Sequence, residues 1–422
     1  METETTKEKV SKADGKPEDW KTLKIKEIGE VILGTTPSTK VESNWDGSIP
    51  FITPGDVSGY KIRDTERTIS EEGLDEKRKL PKNSIVVSCI GNIGRVGITQ
   101  METAMTNQQI NSIIPYEDVA DNYFTLFLTD HFGEGFKNYA SQTTVPILNK
   151  TNFSNIELEV PPLPEQRKIA SILTTVRNAI EQTEAVIQAT RQLKMSMMKH
   201  LFTYGPVPVD QTDQVELQET EIGNINSDWD IESLEKYVVT AYGYTESAKE
   251  DHVGPKYLRI TDISDEGFVH WPSVPFCKID DEDYEKYRLR PEDIYVARIG
   301  ATTGKTYYVD QKREAVFASY LIRIQINNEQ LSSGYLYRFT QSKLYWDQLN
   351  SRKEDKLKKG ISATALRGFS IPIPPLSIQK SIEEKIEQID NKIITEINKK
   401  KALESLFNSL LENLMTAKVR VV

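Results

Sequence analysis

Cysteine, histidine and long apolar runs are the scarce features of this chain of 422 residues. Its two cysteines, Cys89 and Cys277, stand far apart in apolar, strand-like contexts, so they read as buried reduced thiols rather than a disulfide. The four histidines, His131, His200, His252 and His270, show no ligand spacing, and no metal site is expected. No run approaches the ~18 apolar residues of a membrane span, and Met1 to Lys16 is polar with no apolar signal core. A cytoplasmic protein is the expectation. Apolar content of 38% and charged content of 27% fit a globular chain. Its length allows two sizeable cores.

Basic residues are missing from one whole stretch. Between Lys199 and Lys236 there is no Lys or Arg, while Asp210, Asp213, Glu216, Glu219, Glu221, Asp228, Asp230, Glu232 and Glu235 gather there. They account for most of the net charge of −10 and leave the remainder close to neutral, free to carry local basic faces. Gly205-Pro206-Val207-Pro208 opens the stretch, which reads as a linker between two units.

Catalytic signatures are missing too. There is no GxSxG elbow, no HExxH, no dinucleotide fingerprint and no paired carboxylate cluster that repeats. Gly300 to Thr306 resembles a phosphate loop, but its first glycine is one residue too close to Gly304-Lys305. Thr306 to Val309 then reads as a strand where such a loop needs a helix. A turn between strands is the better reading, and neither catalysis nor a cofactor is expected in this chain.

What the sequence does have, it has twice. Pro161-Pro162-Leu163 recurs as Pro374-Pro375-Leu376, 213 positions on from Pro162 to Pro375. The same offset carries Ile169 to Ile382, Leu173 to Ile386, Val176 to Ile389, Ile180 to Ile393, Leu193 to Leu406 and Leu201 to Leu414. Six apolar pairs kept in phase mark an internal repeat. Upstream, Glu18-Asp19-Trp20 matches Ser227-Asp228-Trp229 and Ser88 to Gly94 matches Ala297 to Gly304, with looser spacing. Each copy reads as a globular domain of roughly 140 residues followed by a helix of roughly 40.

Ile169, Leu173, Val176, Ile180 and Ile187 fall at alternating steps of four and three, with Thr183 filling the gap, which is a coiled-coil seam. A phase slip follows, placing Leu193, Met197 and Leu201 on the stripe. In the second helix Ile382, Ile386, Ile389 and Ile393 continue past Lys399-Lys400-Lys401 to Leu406 and Leu414. The simplest burial packs the helices against each other, antiparallel, as a spacer spanning roughly 60 Å. Packing on the helix's own domain, or homodimerisation, is the other possibility.

The copies diverge in their loops. Candidate DNA-contacting residues in the first are Asn92, Arg95, Gln108, Gln109, Thr143, Thr144, Asn149 and Lys150. In the second they are Thr302, Thr303, Lys305, Ser319, Tyr320, Lys358, Lys359, Ser362, Thr364 and Arg367. Amides suit adenine, cations suit guanine or phosphate, and hydroxyls serve either. Ordinary solvated loops would look the same residue by residue.

The run Ser141-Gln142-Thr143-Thr144-Val145-Pro146-Ile147-Leu148-Asn149-Lys150, continued by Ile156 to Gln166, resembles the junction between a target recognition domain and a conserved helix in the DNA specificity subunits of type I restriction-modification enzymes. Gly34-Thr35-Thr36-Pro37, Glu221-Ile222-Gly223 with Trp229, and Leu414 to Val421 resemble the same family. The resemblance implies an α+β fold: two similar strand-rich target recognition domains separated by two long antiparallel, coiled-coil-like conserved helices in a pseudo-two-fold repeat. It places an N-terminal arm at 1–19, recognition domains at 20–160 and 229–373, a central conserved helix at 161–204, the acidic linker at 205–228 and a distal helix with tail at 374–422.

It also implies a non-catalytic subunit that reads a split, asymmetric target in double-stranded DNA. Its partners would be two modification (methyltransferase) subunits and restriction/translocase subunits, which would supply S-adenosylmethionine, ATP and Mg. A stand-alone DNA methyltransferase or restriction enzyme, and a coiled-coil protein adaptor that binds no DNA, are the alternatives. The second copy departs from the family pattern: Ser377-Ile378-Gln379 stands where the first has Pro164-Glu165-Gln166, and Tyr242 to Ser247 lacks the Gly-Thr-Thr-Pro sequence.

Overall fold

The computed structural model describes residues 17–141, 144–354 and 360–421; the candidates Thr143, Lys358 and Lys359 lie outside the described residues. The chain divides into two compact units, residues 1–184 with 398–422, and residues 185–397. The two long helices, Leu163–Tyr204 and Leu376–Met415, each contribute one stretch to either unit.

In the first unit the wholly buried run Ile85–Ser88 forms a central strand of a five-stranded sheet. The order is Gly29–Leu33, Ile110–Pro115, Ile85–Ser88, Val96–Thr99, Lys61–Ile62. Its inner strands are buried on both faces, so they show no alternation of apolar and polar residues, and Asn111, Ser112 and Thr99 are buried beside their apolar neighbours. Helix Asn122–Phe132 covers one face through the fully buried Phe124 and Phe127, and Asp121 caps it by accepting the Phe124 N–H. Lys21–Lys24 pairs antiparallel with Glu157–Val160, which brings the start of the domain to the foot of the first long helix.

The second unit repeats this plan. Its main sheet runs Val238–Tyr242, Leu321–Ile326, Ile294–Ala297, Thr306–Tyr308, the order of the first four strands above. Asp230–Ser233 pairs with Ser370–Ile373 as Lys21–Lys24 does with Glu157–Val160. The acidic stretch is not an extended tether: Leu217–Thr220 and Gly223–Asn226 form an antiparallel hairpin, and Ile225 is fully buried in a core with Phe202 and Trp229. Its acids lie around buried apolar anchors, Ile225, Trp229 and Leu234, which a charge count cannot show.

One detail explains the doubled Pro-Pro-Leu box. The buried Gln166 donates from Nε2 to the carbonyls of Val119 and Pro161, both 2.9 Å, and accepts the Asp121 N–H at 2.9 Å. Gln379 donates to Gln330 and Pro374, both 2.8 Å, and accepts the Ser332 N–H at 2.8 Å. Each glutamine thus bolts the box to the residue that precedes a helix of its own domain, Asn122–Phe132 in the first and Ser333–Phe339 in the second. The fourth bond of a Gln amide aside, every polar atom is satisfied where burial would otherwise penalise it.

Both helices are buried within the chain. In the first unit Ile169, Leu173 and Ile180 share a core with Phe407, Leu411 and Leu414, with Val176 packed against it, and Lys400 Nζ meets Glu184 at 2.8 Å. In the second Leu201 joins Met198 and Phe202 against Ile382 and Ile386, and Lys194 Nζ lies 2.6 Å from Asp390. Helix stretches of opposite chain direction therefore pair in each unit. Ile187 and Ile393 are buried and Ile389 half-buried. Leu406 and Leu193 are corrections: they are 47% and 57% exposed, and Phe407 and Met198 occupy the seam. Counting apolar letters hid the phase, because Phe407 directly follows Leu406 and three methionines crowd the end of the first helix.

Candidate nucleic-acid interface

Backbone pairing draws four loops of the first unit to one sheet edge. Cys89 N–H donates to the Gln109 carbonyl at 2.7 Å, and the Cys89 carbonyl accepts from Leu148 at 2.8 Å. Thr35 N–H bonds the Thr106 carbonyl at 2.8 Å, which adds the Gly34–Thr36 segment to the edge. Gly34 is required there, since a Cβ would lie 2.0 Å from the Asn107 carbonyl oxygen. The turn after Ile85–Ser88 is closed by Gly91 at φ +70° and Gly94 at φ +94°.

This edge gathers Asn92, Arg95, Gln108 and Gln109, and the exposed Thr144 stands in the segment leading to Pro146, whose carbonyl accepts the Gly91 N–H at 3.2 Å. With its amide oriented to satisfy both groups, Asn92 accepts from Arg95 Nε and Nη2, each at 3.0 Å, so the guanidinium is aimed before any ligand arrives. Gln108 Oε1 accepts from the Thr36 hydroxyl at 2.6 Å, and Gln109 accepts from the Asn107 amide at 3.2 Å. Asn149 is otherwise engaged: its side chain caps helix Lys150–Ser154 by accepting the Asn152 N–H at 2.8 Å, and Lys150 is exposed on that helix. Beneath the edge, burial pushes the Cys89 thiol up to about 12.

The second unit builds the corresponding edge with different side chains. Arg298 takes the place of Cys89, its N–H on the Tyr320 carbonyl at 3.0 Å and its own carbonyl accepting from Ile361 at 2.8 Å. Gly300 at φ +74° and Gly304 at φ +97° repeat the glycine pair, and Gly243 repeats Gly34, with a Cβ 2.2 Å from the Ala318 oxygen. The strand Thr306–Tyr308 follows the loop, so it is a turn between strands.

Here Ser319 and the exposed Tyr320 and Thr364 stand at the edge. The others are turned to internal work. Thr303 is buried and donates to Gly300 O at 2.8 Å, and Thr302 donates to Ile299 O at 3.5 Å. Lys305 is paired with Asp265 at 2.5 Å and lines a cavity of about 440 Å³ with Arg191, Phe268 and Trp346. Ser362 caps helix Ala363–Arg367 as Asn149 caps its counterpart, and Arg367 is half-buried, its carbonyl accepting from Ser233.

Three residues at these edges escaped the sequence. Thr36 is placed by Gln108. Arg298 stacks on the Tyr242 ring, 4.6 Å to the centroid, donates to Ser319 O at 3.4 Å and leaves its buried Nε without a partner. Tyr242 is fixed in turn by the Ala363 N–H on its hydroxyl at 3.0 Å. Arg298 closes a strand and Tyr242 ends another 121 residues from Ala363, so only pairing reveals them; the signal available was an arginine where the first copy has cysteine. Among the described residues no His, Cys, Asp and Glu side chains group to hold a metal ion, and no described helix is long and apolar enough to cross a membrane.

Two copies of one α+β domain, each presenting a polar edge and each followed by a long helix, define a recognition scaffold. The model of the type I restriction modification DNA specificity domain matches residues 17–189 and again 242–405, and the chain belongs to that family. It is 26% identical over 420 residues to the type I restriction enzyme MjaVIII specificity subunit of Methanocaldococcus jannaschii, covering 96% of this chain and 94% of that one. It is 22% identical to the EcoBI specificity subunit of Escherichia coli, over 88% of this chain and 79% of the other. The crystal structure of a type I restriction-modification S subunit from M. genitalium superposes with a TM-score of 0.61 at 15% identity, covering 94% and 96% of the two chains.

Proposed function

We propose that this chain is the non-catalytic DNA-reading subunit of a type I restriction-modification enzyme, its two edges each reading one half of a split duplex target. The observation that carries this is the contrast between the copies. The glutamine bolts, the cap positions, the crowded glycines and the turn glycines all repeat. The side chains at the edges do not: amides and Arg95 in one, Arg298 with Tyr242 and Tyr320 in the other. A scaffold held constant beneath a changed surface suits two domains that do the same task on different sequences.

The partners follow from the chemistry. Modification of a base inside a duplex requires its extrusion into a catalytic pocket, and this chain's part is to set that pocket over one base of the target. The doubled helix offers two like seats, one for each of two modification subunits bringing S-adenosylmethionine; restriction/translocase subunits bring ATP and Mg. The chain would work in the cytoplasm, where the DNA is.

Co-expression with its modification partner, followed by mapping of methylated sites, tests this. A bipartite site is expected, and exchanging the loops of one unit for a relative's should alter one half only. A methylation pattern unchanged by such exchanges would overturn the proposal.

A further inference from the structure

The first unit has an open cleft of about 520 Å³ beside its recognition edge, lined by Val57, Ser58, Gly59, Tyr60, Arg95, Val96 and Arg177. One wall is the recognition turn, through Arg95; the opposite wall is the first long helix, through Arg177. The Arg177 guanidinium lies over the Tyr60 ring, 4.6 Å to the centroid, and its buried Nε has no hydrogen-bond partner. Two acids are close, and both are engaged elsewhere. Asp130 accepts the Tyr60 hydroxyl, and Glu181 is taken by Lys61 at 3.2 Å and Arg63 at 3.4 Å. Arg95 is held by the neutral Asn92 amide. Neither arginine forms an ion pair with a carboxylate among the described residues.

We infer that this cleft is a seat for a DNA backbone phosphate, held between Arg95 and Arg177, so that the first helix touches DNA as well as its packing partners. The inference rests on the DNA-reading proposal and deepens it. Two cations facing one open cleft beside a base-reading edge fit a phosphodiester, since backbone contacts flank base contacts and fix their register. Stacking on Tyr60 holds the Arg177 plane, and although the nearby Asp130 carboxylate feels its charge, no carboxylate is bonded to it among the described residues. The device belongs to one copy: the position 213 residues on from Arg177 is Asp390, an acid held by Lys194 at 2.6 Å and Arg338 at 2.7 Å.

The test is a salt titration of binding to a short duplex of arbitrary sequence, using the full chain alone and with its modification partner, for wild type, R177Q, R95Q and R177K. R177Q should weaken binding about tenfold at low salt on any sequence and flatten the plot of log affinity against log salt by about one unit. R177K should restore the slope, and in both Arg177 variants the methylated sequence should stay as in wild type; R95Q should flatten the slope as R177Q does, and an unchanged slope there would also overturn the inference. A lowered affinity with an unchanged slope would mean a structural role and overturn the inference, as would an unchanged affinity. Failure of the wild-type chain and complex to bind DNA would instead overturn the DNA-reading proposal, and this one with it.

Discussion

Arg298 and Cys89 occupy the same place in two copies of one sheet, with the same backbone bonds, yet one is a stacked cation and the other a buried thiol. A guanidinium held on a tyrosine face presents a planar fork of donors, which suits the O6 and N7 of guanine. Lysine cannot reproduce that fork. R298K should relax one position of the half-site read by the second unit, by about 1–3 kcal/mol of discrimination, while methylation mapping finds the other half-site unchanged. The thiols make a contrasting prediction. Burial pushes Cys89 up to about 12 and Cys277 up to about 11, so at neutral pH both are protonated and enclosed. Alkylation followed by mass spectrometry should label neither in the native chain and both after denaturation. Polar loops such as Asn92 and Gln108 were legible because turns advertise themselves in sequence. Arg298, Tyr242 and Arg177 were not, because what makes each one notable is a ring or a cleft contributed by a distant segment.

At the scale of elements, the joint between sheet and helix decides how firmly each domain is held. Q379A would strand the Ser332 N–H and two carbonyls, and should destabilise the second unit by at least about 1–3 kcal/mol, visible as a lowered denaturation midpoint. The first unit has an additional fastening. Arg420 reaches Glu165 at 2.7 Å and Asp19 at 2.7 Å, while Trp20 Nε1 donates to Glu165 at 3.2 Å. The Arg420 hydrogen bond holds the Asp19 carboxyl below its usual value near 3.8. A depressed carboxylate stabilises above its unfolded pKa and loses that contribution as pH falls through the folded value. The melting-temperature difference between wild type and R420Q should therefore persist above about pH 4 and shrink below it. The repeat and the first half of each helix were plain in the sequence, since buried Ile and Leu keep a period. The distal seam was not, because the buried Phe407, Leu411 and Leu414 keep the period in one phase while Leu406 and Leu410 offer a rival stripe one place earlier.

For the molecule as a whole, a net charge of −10 would ordinarily argue against binding a polyanion. The excess is concentrated around the hairpin of residues 217–226, leaving the edges free to be locally basic. Affinity for duplex DNA should accordingly fall steeply with salt despite the acidic total. Neutralising Asp210, Asp213, Glu216 and Glu219 together should raise nonspecific affinity without changing the methylated sequence; a changed sequence would show that these acids shape recognition.

The two buried glutamines hold only main-chain atoms: the carbonyls of residues 119, 161, 330 and 374 and the N–H groups of 121 and 332. Such a joint does not depend on which side chains those residues carry. A gene for this chain could therefore acquire a foreign domain by recombination beside either Pro-Pro-Leu box and still yield a protein that assembles. New target sequences would be reached by exchanging whole domains that keep the few side chains meeting the helix, such as Trp20 at Glu165 and Lys61 at Glu181.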